Sequence, residues 1–169
     1  MYYIIIEKFG KENVNKWKSY LQWRNVEFKK FDSIDKTLSP SLFIPTEAKD
    51  WEYCINDDFN LDLITDLVYA QQILHRYKDA KIVGLETVDN EEKYIEKNNF
   101  LGYDILDKKR EISLIANWGN DIEIINKYLG QNGLIKLLSQ TKEIHSFLQK
   151  NYTSDPHVIN CSIWAIYST

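Results

Sequence analysis

Short apolar runs separated by polar stretches predict several strands along the chain. Tyr2 to Glu7 is short and rich in isoleucine, which is typical of a β-strand. Ala80 to Val88 is apolar enough for a central strand, and Val158 to Tyr167 predicts a terminal one. Asp50 to Ile55 and Val26 to Phe31 fit a short strand and an edge strand. These segments predict a sheet with strands from both ends of the chain.

Apolar residues spaced three and four apart predict helices between these strands. One covers Asn13 to Asn25, and a second runs from Asp58 or Asn60 to about Tyr77. A polar helix is expected over Asn90 to Asn99, and a longer one from Gly133 to about Lys150. Asn120 with Glu123 resembles a capping box, so a further helix should begin there, run to Leu129 and be capped by Gly130.

The order of these elements predicts the fold class. Leu101 to Leu106 and Glu111 to Asn117 flank a charged four-residue stretch, which indicates a hairpin. Asp32 to Thr46, with its two prolines, predicts a loop. Because strands and helices do not alternate strictly, we expect an α+β fold, with helices packed on a mixed, largely antiparallel sheet. The length of 169 residues favours a single domain over the whole chain.

Composition places the chain among ordinary globular proteins. Hydrophobic residues make up 44% and charged residues 27%, which allows a core without disulfides or metal. Cys54 and Cys161 lie far apart, as expected of free thiols in a reducing compartment. No signal peptide and no stretch long enough to cross a membrane is present, so a cytoplasmic location is expected.

Motifs for cofactors and metals are missing from the sequence. Neither a GxGxxG nor a GxxxxGK[ST] pattern occurs. Gly130 to Gly133 precedes a predicted helix but also follows one, which favours a connection between two helices over a phosphate-binding loop. His75, His145 and His157 are scattered, so no metal ligand set is expected. No cofactor, metal or catalytic residue is assigned.

A small hydrolase or transferase remains the alternative function. Such an enzyme would use Cys161 or Cys54 beside a histidine. Otherwise it would use a carboxylate site made of Asp104, Asp107 and Glu111, which bracket the predicted hairpin. Cys161 lies in an apolar strand pattern, where a free cysteine is usually a small core residue. A solvated turn likewise accounts for the three carboxylates.

Charge is distributed unevenly along the chain, whose net charge is −4. Residues 47–66 contain seven acids and one lysine, net −6, whereas residues 1–31 carry seven bases and three acids, net +4. The two segments either neutralise each other in the fold or leave an acidic surface that attracts a basic protein. The acidic overall balance argues against nucleic-acid binding.

The acidic segment supplies the predicted partner-binding residues. Aspartates spaced four apart would share one face of the predicted helix, where they form either a solvated face or a surface for a cationic partner. The predicted contact residues are Asp58, Asp62, Asp66, Glu52, Asp57 and Trp51. The sequence leaves the oligomeric state open.

Several short stretches resemble those of small bacterial immunity proteins, which neutralise polymorphic or contact-dependent toxins. These stretches are Asp50-Trp51-Glu52, Gly102-Tyr103-Asp104, Ser113 through Asn117-Trp118-Gly119, Asp155-Pro156-His157 through Cys161, and Trp164-Ala165-Ile166. The resemblance lies in size, acidity, aromatic content and the C-terminal strand. It implies tight, stoichiometric, non-catalytic binding of a toxin domain, often a basic nuclease.

Overall fold

A six-stranded antiparallel sheet forms the centre of the protein. The computed structural model describes residues 1–8, 14–24, 30–55, 63–88, 99–117 and 122–169. The strands are β1 (Tyr2–Glu7), β2 (Cys54–Ile55), β3 (Leu63–Ile64), β4 (Ala80–Thr87), β5 (Phe100–Leu106) and β6 (Ser162–Ser168), in the order β2-β3-β1-β4-β6-β5. The helices are α1 (Val14–Arg24), α2 (Ala48–Glu52), α3 (Leu67–Ile73) with a 3-10 turn (Leu74–Arg76), α4 (Leu114–Asn117), α5 (Glu123–Tyr128) and α6 (Leu138–Asn151). The predicted α+β class with helices on an antiparallel sheet is confirmed.

Both faces of the sheet are covered. Ile4 and Ile6 of β1 pack into one apolar cluster, and Ile5 between them packs into another on the opposite face, so all three are fully buried. The cluster around Ile5 includes residues of α3, whereas the cluster around Ile4 and Ile6 includes Ile34 of the irregular segment 30–47. A continuous apolar run in β1 is the sequence signature of this two-sided burial.

The predicted helix from Asp58 or Asn60 to Tyr77 is wrong at its start. Leu63 and Ile64 form β3, which pairs with β2 and with β1. Asp66 has an extended backbone, and its carboxylate accepts a hydrogen bond from the Tyr69 backbone N–H at 2.6 Å, so it caps α3. A short buried strand followed by a helix reproduced the apolar spacing of one long helix. No helical face therefore extends from Asp66 towards Asp62.

Three further boundaries differ from the prediction because tertiary pairing replaces local pattern. The segment Asp50 to Ile55 is the end of α2 followed by β2. The predicted hairpin is present at its turn, where Leu106 pairs with Ser113, but the second strand ends there and the chain continues as α4. Strand β5 pairs along its length with β6. The helix expected from Gly133 begins at Leu138, since Ile135 is paired with Tyr103 through two backbone hydrogen bonds.

The remaining predictions agree with the structure in part. β1, α1 and β4 lie where they were predicted, and the terminal strand begins at Ser162 rather than Val158. Helix α5 begins at Glu123, but its N-cap is Ile122. Asn120, residues 26–29 of the predicted edge strand and residues 90–98 of the predicted polar helix lie outside the described residues.

A buried carboxylate attaches the irregular segment 30–47 to the sheet. Asp104 of β5 is fully buried and accepts hydrogen bonds from the hydroxyls of Ser33 (2.7 Å) and Ser113 (2.6 Å). It also accepts from the backbone N–H groups of Ile34 (3.1 Å) and Ile105 (2.8 Å). Burial raises the pKa of Asp104 to about 6, although these hydrogen bonds oppose the shift.

We expect this carboxyl to make stability depend on pH in a defined direction. Because its folded pKa is raised above the ordinary value of 3.8, its favourable contribution is complete below about pH 4 and is lost as the pH rises through about 6. Asp104→Asn cannot titrate, so its stability relative to wild type should increase by on the order of 2–3 kcal/mol between about pH 4 and pH 7. Urea unfolding of both proteins across this range measures the difference. A difference that does not change with pH would contradict the assignment.

Candidate functional site

The structure describes three of the six predicted partner-binding residues. Trp51 and Glu52 lie on α2, and Asp66 caps α3. Asp57, Asp58 and Asp62 lie outside the described residues, so their predicted role stays a prediction. The described part of the predicted partner-binding site therefore consists of α2, α3 and the residues that join them.

A buried aspartate fixes α2 against α3. Asp50 is fully buried, and its carboxylate accepts the backbone N–H groups of Thr46 (2.8 Å) and Glu47 (2.9 Å) at the start of α2. It also accepts the Tyr69 hydroxyl and the Arg76 guanidinium, the latter at 3.0 Å. Burial alone would raise the pKa of Asp50, but these hydrogen bonds lower it well below its ordinary value. Asp50 is thus a structural anion that holds α2 in place.

A second set of contacts connects the end of α2 to the start of α3. The rings of Tyr53 and Tyr69 are stacked with their centroids 4.4 Å apart. The Thr65 backbone N–H donates to the Tyr53 carbonyl at 2.8 Å. Since Glu52 precedes Tyr53 and Asp66 follows Thr65, these contacts bring the two predicted acidic residues onto adjoining segments.

Exposed apolar side chains lie on the same connected segments. Trp51 is 49% exposed, Val68 of α3 is 60% exposed, and Ile44 before α2 is 68% exposed. Large exposed apolar groups among polar ones mark interaction sites in many proteins. The name α2–α3 surface is used below for these residues with their acidic neighbours: Ile44, Glu47, Trp51, Glu52, Asp66 and Val68.

Three members of this surface, Ile44, Glu47 and Val68, are not among the predicted partner-binding residues. Val68 lies outside the apolar stripe that predicted the helix. An apolar residue on the outer face of that helix was a usable sign of an exposed apolar side chain. Ile44 lies in a segment predicted as a loop, where exposure cannot be inferred from spacing. The sequence did identify Trp51, which is large, apolar and flanked by two acids.

The α2–α3 surface carries a net negative charge. Glu47, Asp50, Glu52 and Asp66 contribute four negative charges in this region, and Lys49 and Arg76 contribute two positive ones, net −2. Arg76 pairs with Glu47 (3.3 Å) and Asp50 (3.0 Å). The described ion pairs of these two acids are therefore made within the region and not with the basic segment 1–31.

The cysteine alternative finds little support in the geometry. Cys161 is buried, and burial raises the pKa of its thiol, which disfavours the nucleophilic thiolate. Gln149 Nε2 lies 3.3 Å from its sulfur, whereas His145 Nε2 lies 3.1 Å from its carbonyl oxygen. His75 Nδ1 instead lies 2.6 Å from the Gln72 carbonyl oxygen. Within the described part of the chain, neither histidine proposed as a base contacts the thiol.

The carboxylates of the predicted hairpin have separate roles. Asp104 is the buried anchor of segment 30–47, and Glu111 pairs with Lys36 at 3.3 Å. Asp107 Oδ2 lies 3.2 Å from Nδ1 of His157 at a surface cleft of about 490 Å³. Glu111 also lines this cleft, but Asp107 is engaged by His157 and Glu111 by Lys36. The Asp107–His157 pair is nevertheless a second candidate site.

A separate cavity, of about 370 Å³, is lined by Lys8, Lys30, Lys81 and Asp32, among other residues. Asp32 accepts hydrogen bonds from Lys81 (2.6 Å) and Asn132 (3.2 Å) and pairs with Lys30 (3.2 Å). Burial raises its pKa, but these donors outweigh that effect and the pKa is lowered. Because Asp32 pairs with two of the lysines, Lys30 and Lys81, the polar contacts of this cavity attach segment 30–47 to β4.

The described ranges contain neither a metal-binding cluster nor a membrane-spanning helix. Across them, no cluster of three or more histidine, cysteine, aspartate or glutamate side chains is arranged to hold an ion. The helices described are all too short or too polar to cross a bilayer.

Comparison with protein-family models, with curated proteins and with solved structures gives no match for this chain.

Proposed function

We propose that this protein acts by binding another protein through the α2–α3 surface, as an immunity protein that neutralises a cognate bacterial toxin domain. The observation that carries the proposal is the half-exposed Trp51 on a helix that the buried Asp50 fixes to α3. A tryptophan held rigidly in water loses little conformational entropy on binding and buries a large apolar area, as interface hot spots do.

The charge of the surface defines the kind of partner. The net −2 of the region favours a basic protein, which it would attract before contact and orient on arrival. A basic toxin domain with an apolar pocket for Trp51 meets both requirements. The resemblance to immunity proteins in size, acidity and aromatic content supports the same class of partner.

The two cysteines fit a cytoplasmic and non-catalytic role. Cys54 and Cys161 are thiols that form no disulfide, which suits the reducing cytoplasm in which an immunity protein meets its toxin. Binding of this type is stoichiometric and requires no nucleophile. The buried thiol of Cys161 is therefore a core group in this account.

Two tryptophans of equal exposure provide a matched test of the surface. Trp51 is 49% exposed on α2, and Trp23 is 48% exposed on α1. Trp51→Ala should weaken binding of the captured partner by about 30- to 100-fold, the cost of removing a tryptophan hot spot. Trp23→Ala should leave the affinity within about threefold of wild type. Affinity purification from the source cells, followed by surface plasmon resonance of the purified partner, gives both values.

Identity of the partner requires a functional readout in the same experiment. Support consists of a basic protein that binds one to one, inhibits growth when expressed alone, and is neutralised by wild type and Trp23→Ala but less well by Trp51→Ala. Failure of wild type to neutralise its bound partner would contradict the immunity role. Equal binding by the two tryptophan variants would contradict the surface.

Charge should act mainly on the rate of association. Glu52→Lys reverses one exposed charge on α2, so it should slow association with a basic partner by about three- to tenfold at low salt and much less at high salt. Glu123→Lys makes the same change on the exposed face of α5 and serves as the control. Stopped-flow association measured over a range of salt concentrations gives these rates. Equal slowing by both variants would show that net charge, and not the α2–α3 surface, controls the encounter.

A further inference from the structure

Two tight turns form a cleft separate from the α2–α3 surface. The first turn follows β5, where Arg110 N–H donates to the Asp107 carbonyl at 2.9 Å. The second precedes β6, where the backbone N–H of His157 donates to the Asp155 carboxylate at 2.8 Å. The cleft between them has a volume of about 490 Å³, within the range of small-molecule sites.

An aspartate and a histidine bridge the two turns. Asp107 is buried, and its Oδ1 accepts the backbone N–H groups of Glu111 (2.9 Å) and Ile112 (3.1 Å). Its Oδ2 lies 3.2 Å from His157 Nδ1, which fixes the orientation of the imidazole. His157 is half-exposed at the cleft, and its Nε2 has no partner within the described residues. The pair thus holds one ring nitrogen ready for a ligand.

Further donors line the same cleft. Lys109 and Asn160 are exposed and line it, and among the described residues no carboxylate lies within ion-pair distance of Lys109. The nearby Glu111 is already paired with Lys36 at 3.3 Å, so its negative charge is compensated. Lys109, His157 and Asn160 thus each contribute a side-chain nitrogen to the lining of one cleft.

The backbone of both turns adopts a conformation that side chains disfavour. Arg110 has φ 58° and Asn160 has φ 62°, both in the left-handed region. Asparagine tolerates this region, whereas arginine does so at a cost. Strain of this kind concentrates at ligand sites because other interactions must maintain it. Asn160 lines the cleft itself, and Arg110 lies between the lining residues Lys109 and Glu111.

We propose that this cleft binds a small phosphorylated ligand, a phosphate monoester with an apolar body. In this proposal Lys109 and Asn160 donate to two phosphate oxygens, and a proton is shared between the third oxygen and Nε2 of His157, which suits the second ionisation of a monoester near pH 6. Pro156 and Ile159, which also line the cleft, provide the apolar contact. This activity is independent of partner binding at the α2–α3 surface.

Phenyl phosphate is the probe for this proposal, with inorganic phosphate and benzoate as comparisons. Titration of the full chain at low salt, followed by NMR of the backbone amides and histidine rings, should give saturable shifts at His157 and residues 107–112. The expected Kd for phenyl phosphate is below about 1 mM, and inorganic phosphate and benzoate should each bind about tenfold more weakly. His157→Gln and Lys109→Met should each weaken phenyl phosphate by about tenfold, the loss of one charge-assisted hydrogen bond.

Matched variants keep the result interpretable. Lys150→Met, on the exposed end of α6, removes the same charge elsewhere and should leave the affinity unchanged. Lys109 is exposed, so Lys109→Met carries the test if His157→Gln fails to fold. Trp51→Ala should bind phenyl phosphate as wild type does, which separates this site from the α2–α3 surface. No saturable shift at His157 by about 10 mM probe, or equal affinity in the wild type and Lys109→Met, would overturn the proposal.

Discussion

Buried aspartate carboxylates hold the irregular parts of this protein to its sheet. A segment without regular secondary structure must find partners for its backbone N–H groups when it is buried. Here the carboxylates provide them. The backbone donors are Ile34 and Ile105 to Asp104, Thr37, Leu38 and Ser113 to Asp35, Thr46 and Glu47 to Asp50, and Glu111 and Ile112 to Asp107. Removing one acceptor would leave buried or partly buried donors unsatisfied, so these residues determine where the irregular segments lie.

The same carboxylates position both candidate sites. Asp50 uses one oxygen to cap the start of α2 and the other to accept from α3, which fixes the helix that carries Trp51. Asp107 caps the turn after β5 with one oxygen and orients His157 with the other. In each case a fully or almost fully buried group fixes an exposed one. Rigid support of this kind is what an exposed tryptophan or imidazole needs in order to bind without a large loss of entropy.

The fold class was predictable because burial leaves a periodic trace in the sequence. The isoleucines of β1 and the apolar residues of β4 gave these strands their correct places. Strand β3 was not predictable, since two residues carry no period and its pairing with β1 and β2 is a tertiary contact. Strand β2 is the last third of the strand predicted over Asp50 to Ile55. The strand predicted over Glu111 to Asn117 contains helix α4, because an apolar stretch of four residues after a turn fits a helix as well as a strand.

The candidate sites were predictable only where a single residue carried the signal. Trp51 between two acids is visible in the sequence, and the structure confirms that it is exposed. The pairing of Asp107 with His157 joins residues fifty positions apart, so no local motif announces it. The role of Asp50 was hidden for the same reason: its partners Tyr69 and Arg76 are distant in sequence, and it resembled one more surface acid.

Hydrogen exchange of the protein, alone and bound to its neutralised partner, tests the central claim most directly because it maps the contact without choosing residues beforehand. The account predicts that exchange slows at the amides of α2, of Tyr53 to Ile55 and of the first turn of α3, with little change at residues 155–160. Slowing confined to other parts of the protein, with α2 and α3 exchanging as in the free state, would contradict binding through the α2–α3 surface.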